Sequence, residues 1–353
     1  MIDENKLVKY ILSWQDPEHC LSLLKLKVNV IIEHNEKKLN IKINRPYSII
    51  DEDSWRKKIL EFIGLKVDFE FELYLNKEIS SKLTVSGAKH PEIKNIIPIL
   101  SGKGGVGKST ITSNLAASLV CQGFKVGVLD ADIHGPSQTL MLGSTEYCKK
   151  DNEKITPMKC NDIDVVSIGS MLQSGTAIAW RGPMASKALL QLYNQTNWSN
   201  LDFLLIDCPP GTSDVLLTIS KQIPIVGAVL VTTPDVAAVM DAERSGDLLQ
   251  KLSVPILGVV ENMSHQVCKA CGHVENTFGI GGGDFLAEKF NSTCWLKIPL
   301  NYKICSAAET GTPLAINDMF LQKLGVKFTF SLLHLPKYNK LARMNVEVKK
   351  DSR

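Results

Sequence analysis

The sequence predicts a doubly wound, mostly parallel α/β domain preceded by a small α+β domain. Two observations carry this prediction. From Ile96 onward, short and nearly continuous apolar runs alternate with helical patterns, as expected of a parallel sheet covered on both faces. Before them, the polar stretch Asn76 to Lys94, containing Gly87 and Pro91, sets off a shorter region of mixed character. The chain has 353 residues, 44% of them hydrophobic, and at about 100 to 200 residues per domain it has room for two cores. The domains are expected at residues 1–85 and 95–353, with a linker at 86–94.

In the first domain, Leu7 to Trp14 reads as a helix, and Leu26 to Ile32 with Leu39 to Ile43 as a hairpin-like pair of strands. A helix around Trp55 to Phe62 and a strand around Val67 to Tyr74 complete it. In the second domain the apolar runs are Ile96 to Leu100, Lys125 to Leu129, Val165 to Ile168, Phe203 to Ile206, Gly227 to Val231, Ile256 to Val260 and Trp295 to Ile298. Pro98 lies within the first of these and deletes one ladder donor. Near the end, Val326-Lys327-Phe328-Thr329-Phe330 alternates as a strand does, and the basic tail Lys349 to Arg353 reads as a solvated end.

The 40 basic and 37 acidic residues give a net charge of +3, and their even scatter predicts neither a nucleic-acid track nor an acidic substrate. No apolar run approaches the roughly 18 residues of a membrane span. The first ten residues lack the apolar stretch of a secretory signal or the Arg-rich character of an organelle leader. Nine cysteines without an export signal favour free thiols or metal ligands over disulfides. A cytoplasmic protein is expected.

Between the run Ile96 to Leu100 and the helical stretch Thr110 to Val120 lies Gly102-Lys103-Gly104-Gly105-Val106-Gly107-Lys108-Ser109. This fits the P-loop pattern in its required strand-loop-helix context. The glycines let backbone N–H groups converge on phosphate oxygens, and the helix start adds a favourable dipole. Lys108 is expected to pair with the β- and γ-phosphates of ATP, and the Ser109 hydroxyl to reach Mg²⁺. Thr110 closes the binding segment. Asp130 and Asp132 end one apolar strand, so their carboxylates emerge at the carboxyl edge of the sheet. Asp207 ends another, before Cys208-Pro209-Pro210-Gly211-Thr212, and suits a carboxylate that holds Mg²⁺ through water.

Lys103 stands where an ordinary P-loop accepts any residue. The loop thereby resembles the deviant Walker A loop of the MinD and nitrogenase iron-protein superfamily. That resemblance implies an ATP-sandwich homodimer in which Lys103 reaches the partner's nucleotide. It also implies that Asp132 orients the attacking water and that Asn262 reads the adenine edge. The catalytic set is then Lys103, Lys108 and Asp132, in a slow ATP hydrolase.

Cys268-Lys269-Ala270-Cys271-Gly272-His273 is a CxxC ahead of the run Gly279-Ile280-Gly281-Gly282-Gly283. Two thiolates make half of the four ligands that Zn²⁺ or an iron-sulfur cluster requires. His273 as a third zinc ligand, a two-fold axis bringing a second pair of thiolates, and a redox pair all stay open. Cysteines 20, 121, 148, 160, 208, 294 and 305 show no ligand spacing and read as structural.

Taken in order, SGKGGVGKST, DADIHGPS, WRGPM (Trp180 to Met184), LIDCPPGTSD, VTTPDVA, VENMS, CxxCGH and FGIGGG resemble the Mrp/ApbC family of iron-sulfur cluster carrier ATPases over about residues 95 to 315. The resemblance implies a [4Fe-4S] cluster held by Cys268 and Cys271 at a homodimer interface and passed from scaffold proteins to apoproteins, with no role for nucleic acid or membrane. The first domain looks like the MIP18-like module, through Trp14-Gln15-Asp16-Pro17-Glu18. Asn44-Arg45-Pro46-Tyr47-Ser48 stands where that module usually has its cysteine, so no separate thiol chemistry is implied there. The competing readings are a MinD/ParA-type positioning switch and a zinc-binding ATPase without cluster transfer.

Overall fold

The computed structural model describes residues 4–35, 38–66, 71–82, 84–85, 89–132, 135–144, 148–151, 154–167, 169, 182–211 and 213–336. Of the residues named above, Val67, Ile133, His134, Ile168, Trp180, Arg181 and Thr212 lie outside the described residues, as do Gly87 and the tail Lys349 to Arg353. The described chain divides into two compact units, one running to Ser80 and taking in Thr329–Pro336, the other Ser81–Phe328. Beside the expected domain at residues 1–85 with a linker at 86–94, the first unit stops at Ser80 and takes in part of the chain's end.

In the first unit, α1 (Glu4–Ser13) precedes the antiparallel pair β1 (Asn29–Asn35) and β2 (Lys38–Arg45). Helix α2 (Glu52–Gly64) then crosses over to β3 (Phe71–Lys77), which pairs parallel with β2. Asp51 caps α2 by accepting from Ser54 N at 2.9 Å, and Trp55, Ile59 and Ile63 form its buried stripe. Beneath them Asp16 accepts from Trp55 Nε1 (2.7 Å), Tyr47 OH (2.8 Å) and the His19 backbone and ring. Burial works against its charge, but the hydrogen bonds from His19, Trp55 and Tyr47 hold its carboxyl down at about 2. Leu333 joins this core, Lys27 Nζ donates to its carbonyl at 2.5 Å, and Thr329 Oγ1 accepts from Ser48 N at 3.0 Å.

The second unit begins with β4 (Ile93–Leu100), α3 (Lys108–Cys121) and β5 (Val126–Asp130). The short α4 (Gln138–Met141), the hairpin β6 (Lys149–Asp151) and β7 (Lys154–Thr156), and the pair β8 (Met158–Cys160) and β9 (Ile163–Ser167) follow. Next come α5 (Gly182–Gln195), β10 (Leu201–Asp207), α6 (Ser213–Gln222), β11 (Ala228–Thr232), α7 (Val236–Lys251) and β12 (Ile256–Glu261). A two-residue hairpin, β13 (Gln266–Val267) with β14 (Val274–Glu275), precedes α8 (Gly282–Lys289), β15 (Cys294–Lys297), α9 (Tyr302–Glu309) and α10 (Met319–Ser331).

The main sheet runs β15-β12-β11-β4-β10-β5-β9-β8, parallel throughout except for the β8–β9 edge. The expected apolar runs lie within or against its strands as far as these are described, and β5, β9 and β11 are buried along their full length because helices cover both faces. Pro98 is accommodated on the β11 side. There Ile96 bridges Ile225 and regular pairing resumes at Ile99, opposite Val229.

The strand-like reading of Val326 to Phe330 is corrected: these residues form the last turns of α10. Leu321, Leu324, Phe328 and Leu332 are buried at helical spacing, so the 3.6-residue period outweighs the local alternation. Ser118 Oγ of α3 donates to Gln322 O at 2.7 Å and accepts from Gly325 N at 3.1 Å, and a Cβ on Gly325 would lie 2.6 Å from that hydroxyl.

Candidate functional site

The site lies where β4, β5 and β10 end side by side, since a parallel sheet delivers all its strand-end side chains to one edge. After Leu100 the chain turns through Gly102, where a Cβ would stand 2.0 Å from the Asp241 carbonyl carbon of α7. Only glycine allows that close approach of loop and helix. Gly105 and Gly107 both have φ +83°, the left-handed region that orients successive N–H groups inward. A Cβ on Gly107 would also meet Asn262 Nδ2 at 2.2 Å. Asn262 donates from that amide to Val106 O at 2.9 Å, so it braces the loop from behind, a contact its expected adenine role did not include.

Lys108 opens α3 and is buried, with its Nζ 2.5 Å from Asp207 Oδ1 and 3.3 Å from Ser109 Oγ. Thr112 Oγ1 donates to the same Asp207 oxygen at 3.2 Å. Gln138 of α4, fully buried, donates from Nε2 to Asp207 Oδ2 at 2.8 Å and to Ser109 O at 2.9 Å. Sequence reasoning missed Gln138. Its only signal was a long polar side chain that follows Asp130-Ala131-Asp132 after a short Gly-Pro turn.

Asp130 and Asp207 face each other in register on β5 and β10. Asp130 accepts from the backbone N–H groups of Asp132 (3.2 Å), Ser137 (3.0 Å) and Gln138 (3.1 Å), and from Ser167 Oγ (3.2 Å). Burial and the neighbouring Asp207 carboxylate nevertheless push it up to about 7. Asp130 therefore shapes the loop that carries the half-buried Asp132. Burial also pushes the Cys208 thiol up, which leaves it inert beside the site.

The oxygens at this edge, Ser109 Oγ and the Asp207 and Asp130 carboxylates, form a hard donor set, and Gln138 Oε1 is buried among the described residues without a hydrogen-bond partner. Such a set fits Mg²⁺ and does not fit a soft metal. Lys103 is paired at the start of α7. Its half-exposed Nζ lies 3.7 Å from Asp235 Oδ1, the residue that caps α7 by accepting from Ala238 N at 3.0 Å.

The cysteine pair sits on the β13–β14 hairpin. Cys268 N donates to His273 O and Gly272 N to Cys268 O, both at 2.9 Å, closing a tight turn with Gly272 at φ +73°. The Cys268 thiol is held below its ordinary range by the N–H groups of Cys271 and Ala270 and by the Cys271 side chain. The whole stretch 266–280 is exposed, including Val267, Val274, Phe278 and Ile280. Among the described residues no three His, Cys, Asp or Glu side chains converge to hold a metal ion. Cys268, Cys271 and His273 are not gathered into one such group. Among the described residues no helix is long and apolar enough to cross a membrane.

The ParA family model, described as NUBPL iron-transfer P-loop NTPase, matches residues 92–325. An iron-sulfur cluster carrier protein of Haemophilus influenzae is 39% identical over 323 residues, covering 89% of this chain and 86% of that one. Another, of Pyrococcus abyssi, is 39% identical over 276 residues, covering 74% and 92%. Among solved structures, a nucleotide-binding protein of Archaeoglobus fulgidus in complex with ADP is 33% identical with a TM-score of 0.54, covering 63% of this chain and 88% of that one.

Proposed function

The chain belongs to the ParA family of NUBPL iron-transfer P-loop NTPases, and from that premise we propose that it is an ATP-dependent iron-sulfur cluster carrier. In this reading two copies hold a [4Fe-4S] cluster through Cys268 and Cys271 of each, hydrolyse ATP slowly, and pass the cluster from scaffold proteins to apoproteins in the cytoplasm. One observation supports it above the others: a preformed phosphate cradle shares a unit with an exposed hairpin that offers two adjacent sulfurs and no further ligand. A four-thiolate site needs a second pair, and a two-fold axis supplies one.

ATP would lie along the loop Gly102 to Ser109, its phosphates on the backbone N–H groups and Lys108, with Thr110 behind them. Mg²⁺ bound near Ser109 and Asp207 would supply charge neutralisation for the transferring phosphoryl group. Lys108 now rests on Asp207, and its ammonium is within reach of anionic phosphate oxygens when they arrive. Asp132 orients the attacking water from the loop that Asp130 braces. Lys103 is held only by a long, half-exposed contact to Asp235, worth about 0 to 1 kcal/mol, so little opposes its move to the partner's nucleotide. Catalysis is then mostly positioning and charge stabilisation.

Anaerobic reconstitution with iron and sulfide, with iron counting on the wild type and on the Cys268→Ala, Cys271→Ala variant, tests this. About four iron atoms per dimer are expected in the wild type and close to none in the variant. Equal iron in both proteins would remove the cluster reading, and zinc retained in place of iron would favour a structural metal.

A further inference from the structure

Gln138 ties together the three segments that meet at the cradle. Its backbone N–H donates to Asp130 Oδ2 at 3.1 Å, and its side-chain Nε2 donates to Asp207 Oδ2 at 2.8 Å and to Ser109 O at 2.9 Å. A carboxylate and a backbone carbonyl only accept, so the amide has a single orientation. Both of its hydrogens are committed, and Oε1 is left on the far corner of the same planar group. Gln138 is fully buried, and Oε1 has no hydrogen-bond partner among the described residues. A buried carbonyl oxygen without a donor is costly to keep, and in a functional site it marks where water or a ligand completes the bonding.

We infer that Gln138 is a positioning residue for Mg²⁺: its Oε1 accepts from a water of the hydrated ion while its Nε2 fixes the Asp207 carboxylate. The inference rests on the nucleotide-site reading above. Mg²⁺ sheds its waters reluctantly and keeps several of them when bound, so an outer acceptor has donors to meet. The two oxygens of Asp207 are divided between tasks. Oδ1 carries Lys108 Nζ at 2.5 Å and Thr112 Oγ1 at 3.2 Å, whereas Oδ2 is held by Gln138. When phosphates draw Lys108 away, Oδ1 opens toward the ion, and the Gln138 bond keeps the carboxylate from turning.

The neutrality of the side chain matters as much as its reach. A carboxylate at this position would repel Asp207 and Asp130, and an ammonium would compete with Mg²⁺ for Asp207. An amide holds the carboxylate without cancelling its charge. It also holds Ser109 by its carbonyl, the residue whose hydroxyl is expected to reach the same ion. One side chain thereby sets the spacing of two groups that face the metal, as outer-shell partners do in other metal sites.

Gln138→Met tests the inference, because the thioether keeps the volume and removes both donor and acceptor. Mn²⁺ stands in for Mg²⁺ and is titrated into the ADP complex of each protein, with free Mn²⁺ read by electron paramagnetic resonance. Its Kd should rise by about tenfold in the variant, as expected when an outer-shell partner of a metal is lost. Affinity for ADP in EDTA should match that of the wild type. An unchanged Mn²⁺ Kd in the folded variant would overturn the inference and leave Gln138 a packing residue. A comparable loss of metal-free ADP affinity would overturn it differently, since Gln138 would then shape the phosphate loop instead of serving the ion. Gln138→Asn covers the case in which the thioether prevents folding. Its amide, one methylene shorter, cannot hold Asp207 and Ser109 together, and the same rise in Mn²⁺ Kd is expected. A wild type that binds no ADP would overturn the nucleotide-site reading itself, an outcome distinct from either failure of the variant.

Discussion

The phosphate cradle and the cysteine hairpin lie in the same unit and are built in opposite ways. In the cradle, Lys108, Gln138, Asp130 and Asp207 are all buried, and each carboxylate oxygen of Asp207 has its donor. In the hairpin, two backbone hydrogen bonds close a turn whose residues are exposed from Gln266 to Ile280. The contacts that hold Lys108, Ser109, Asp207 and Gln138 in place are all made within one chain. The hairpin carries apolar side chains and two thiols in water, so it has the form of a surface awaiting another surface.

If the two regions are independent, damage to one should spare the other. Lys108→Ala should lower ATP turnover by about 100-fold or more in a steady-state phosphate-release assay. It should also destabilise the chain by about 3 to 5 kcal/mol, because Asp207 is left as an uncompensated buried charge. Iron loading at the hairpin should be unchanged. Loss of both functions in a still-folded variant would mean that the cradle shapes the hairpin.

Glycine substitutions sharpen the contrast at matched chemistry. Gly102→Ala forces a methyl group into the α7 backbone, and neither loop nor helix can move without opening the site, so about 3 kcal/mol of stability should be lost. Gly272→Ala meets nothing within 4 Å, and only its left-handed backbone opposes the change, at about 1 kcal/mol. Urea denaturation of both variants measures the difference. Equal losses would mean that the hairpin is packed more tightly than its exposure indicates.

Much of the cradle was legible in the sequence because strand ends and glycine spacing are local signals. Lys108, Ser109, Asp130 and Asp207 sit together because β4, β10 and β5 are adjacent, an order the apolar runs did not specify although they placed the strand ends at one edge. Gln138 was hidden because its role depends on α4 folding back over Ser109, a tertiary event with no periodic trace. The α10 segment misled for a local reason, since Val326, Phe328 and Phe330 alternate while the buried stripe runs Leu321, Leu324, Phe328. That Thr329–Pro336 completes the first unit is a contact across most of the chain's length, beyond the reach of any window.

Charge placed on the hairpin's apolar positions asks whether it is an interface. Val274→Asp and Ile280→Asp alter side chains that are 51% and 79% exposed, so the isolated chain should change in stability by no more than about 0.5 kcal/mol. Sedimentation with ATP and reconstituted cluster should nonetheless show a weakened dimer. An unaltered dimer would put the association surface elsewhere and leave the CxxC with no partner pair.

The smallest expected effect compares two thiols, one from each region. Cys268 is exposed, and N–H groups of Cys271 and Ala270 favour its thiolate, so its pKa lies below that of an ordinary cysteine. Cys208 is buried next to the cradle, and burial raises its pKa. A lowered pKa means that the reactive anion appears at lower pH. Iodoacetamide labelling followed by peptide mass analysis should therefore give Cys268 a pH midpoint below that of an unperturbed thiol, while Cys208 stays unlabelled until the chain unfolds. Added ATP should leave the Cys268 midpoint where it is if the hairpin is independent of the cradle. A midpoint that moves with ATP in the cluster-free monomer would tie the two regions together within one chain, and the second copy would then no longer be needed to couple them.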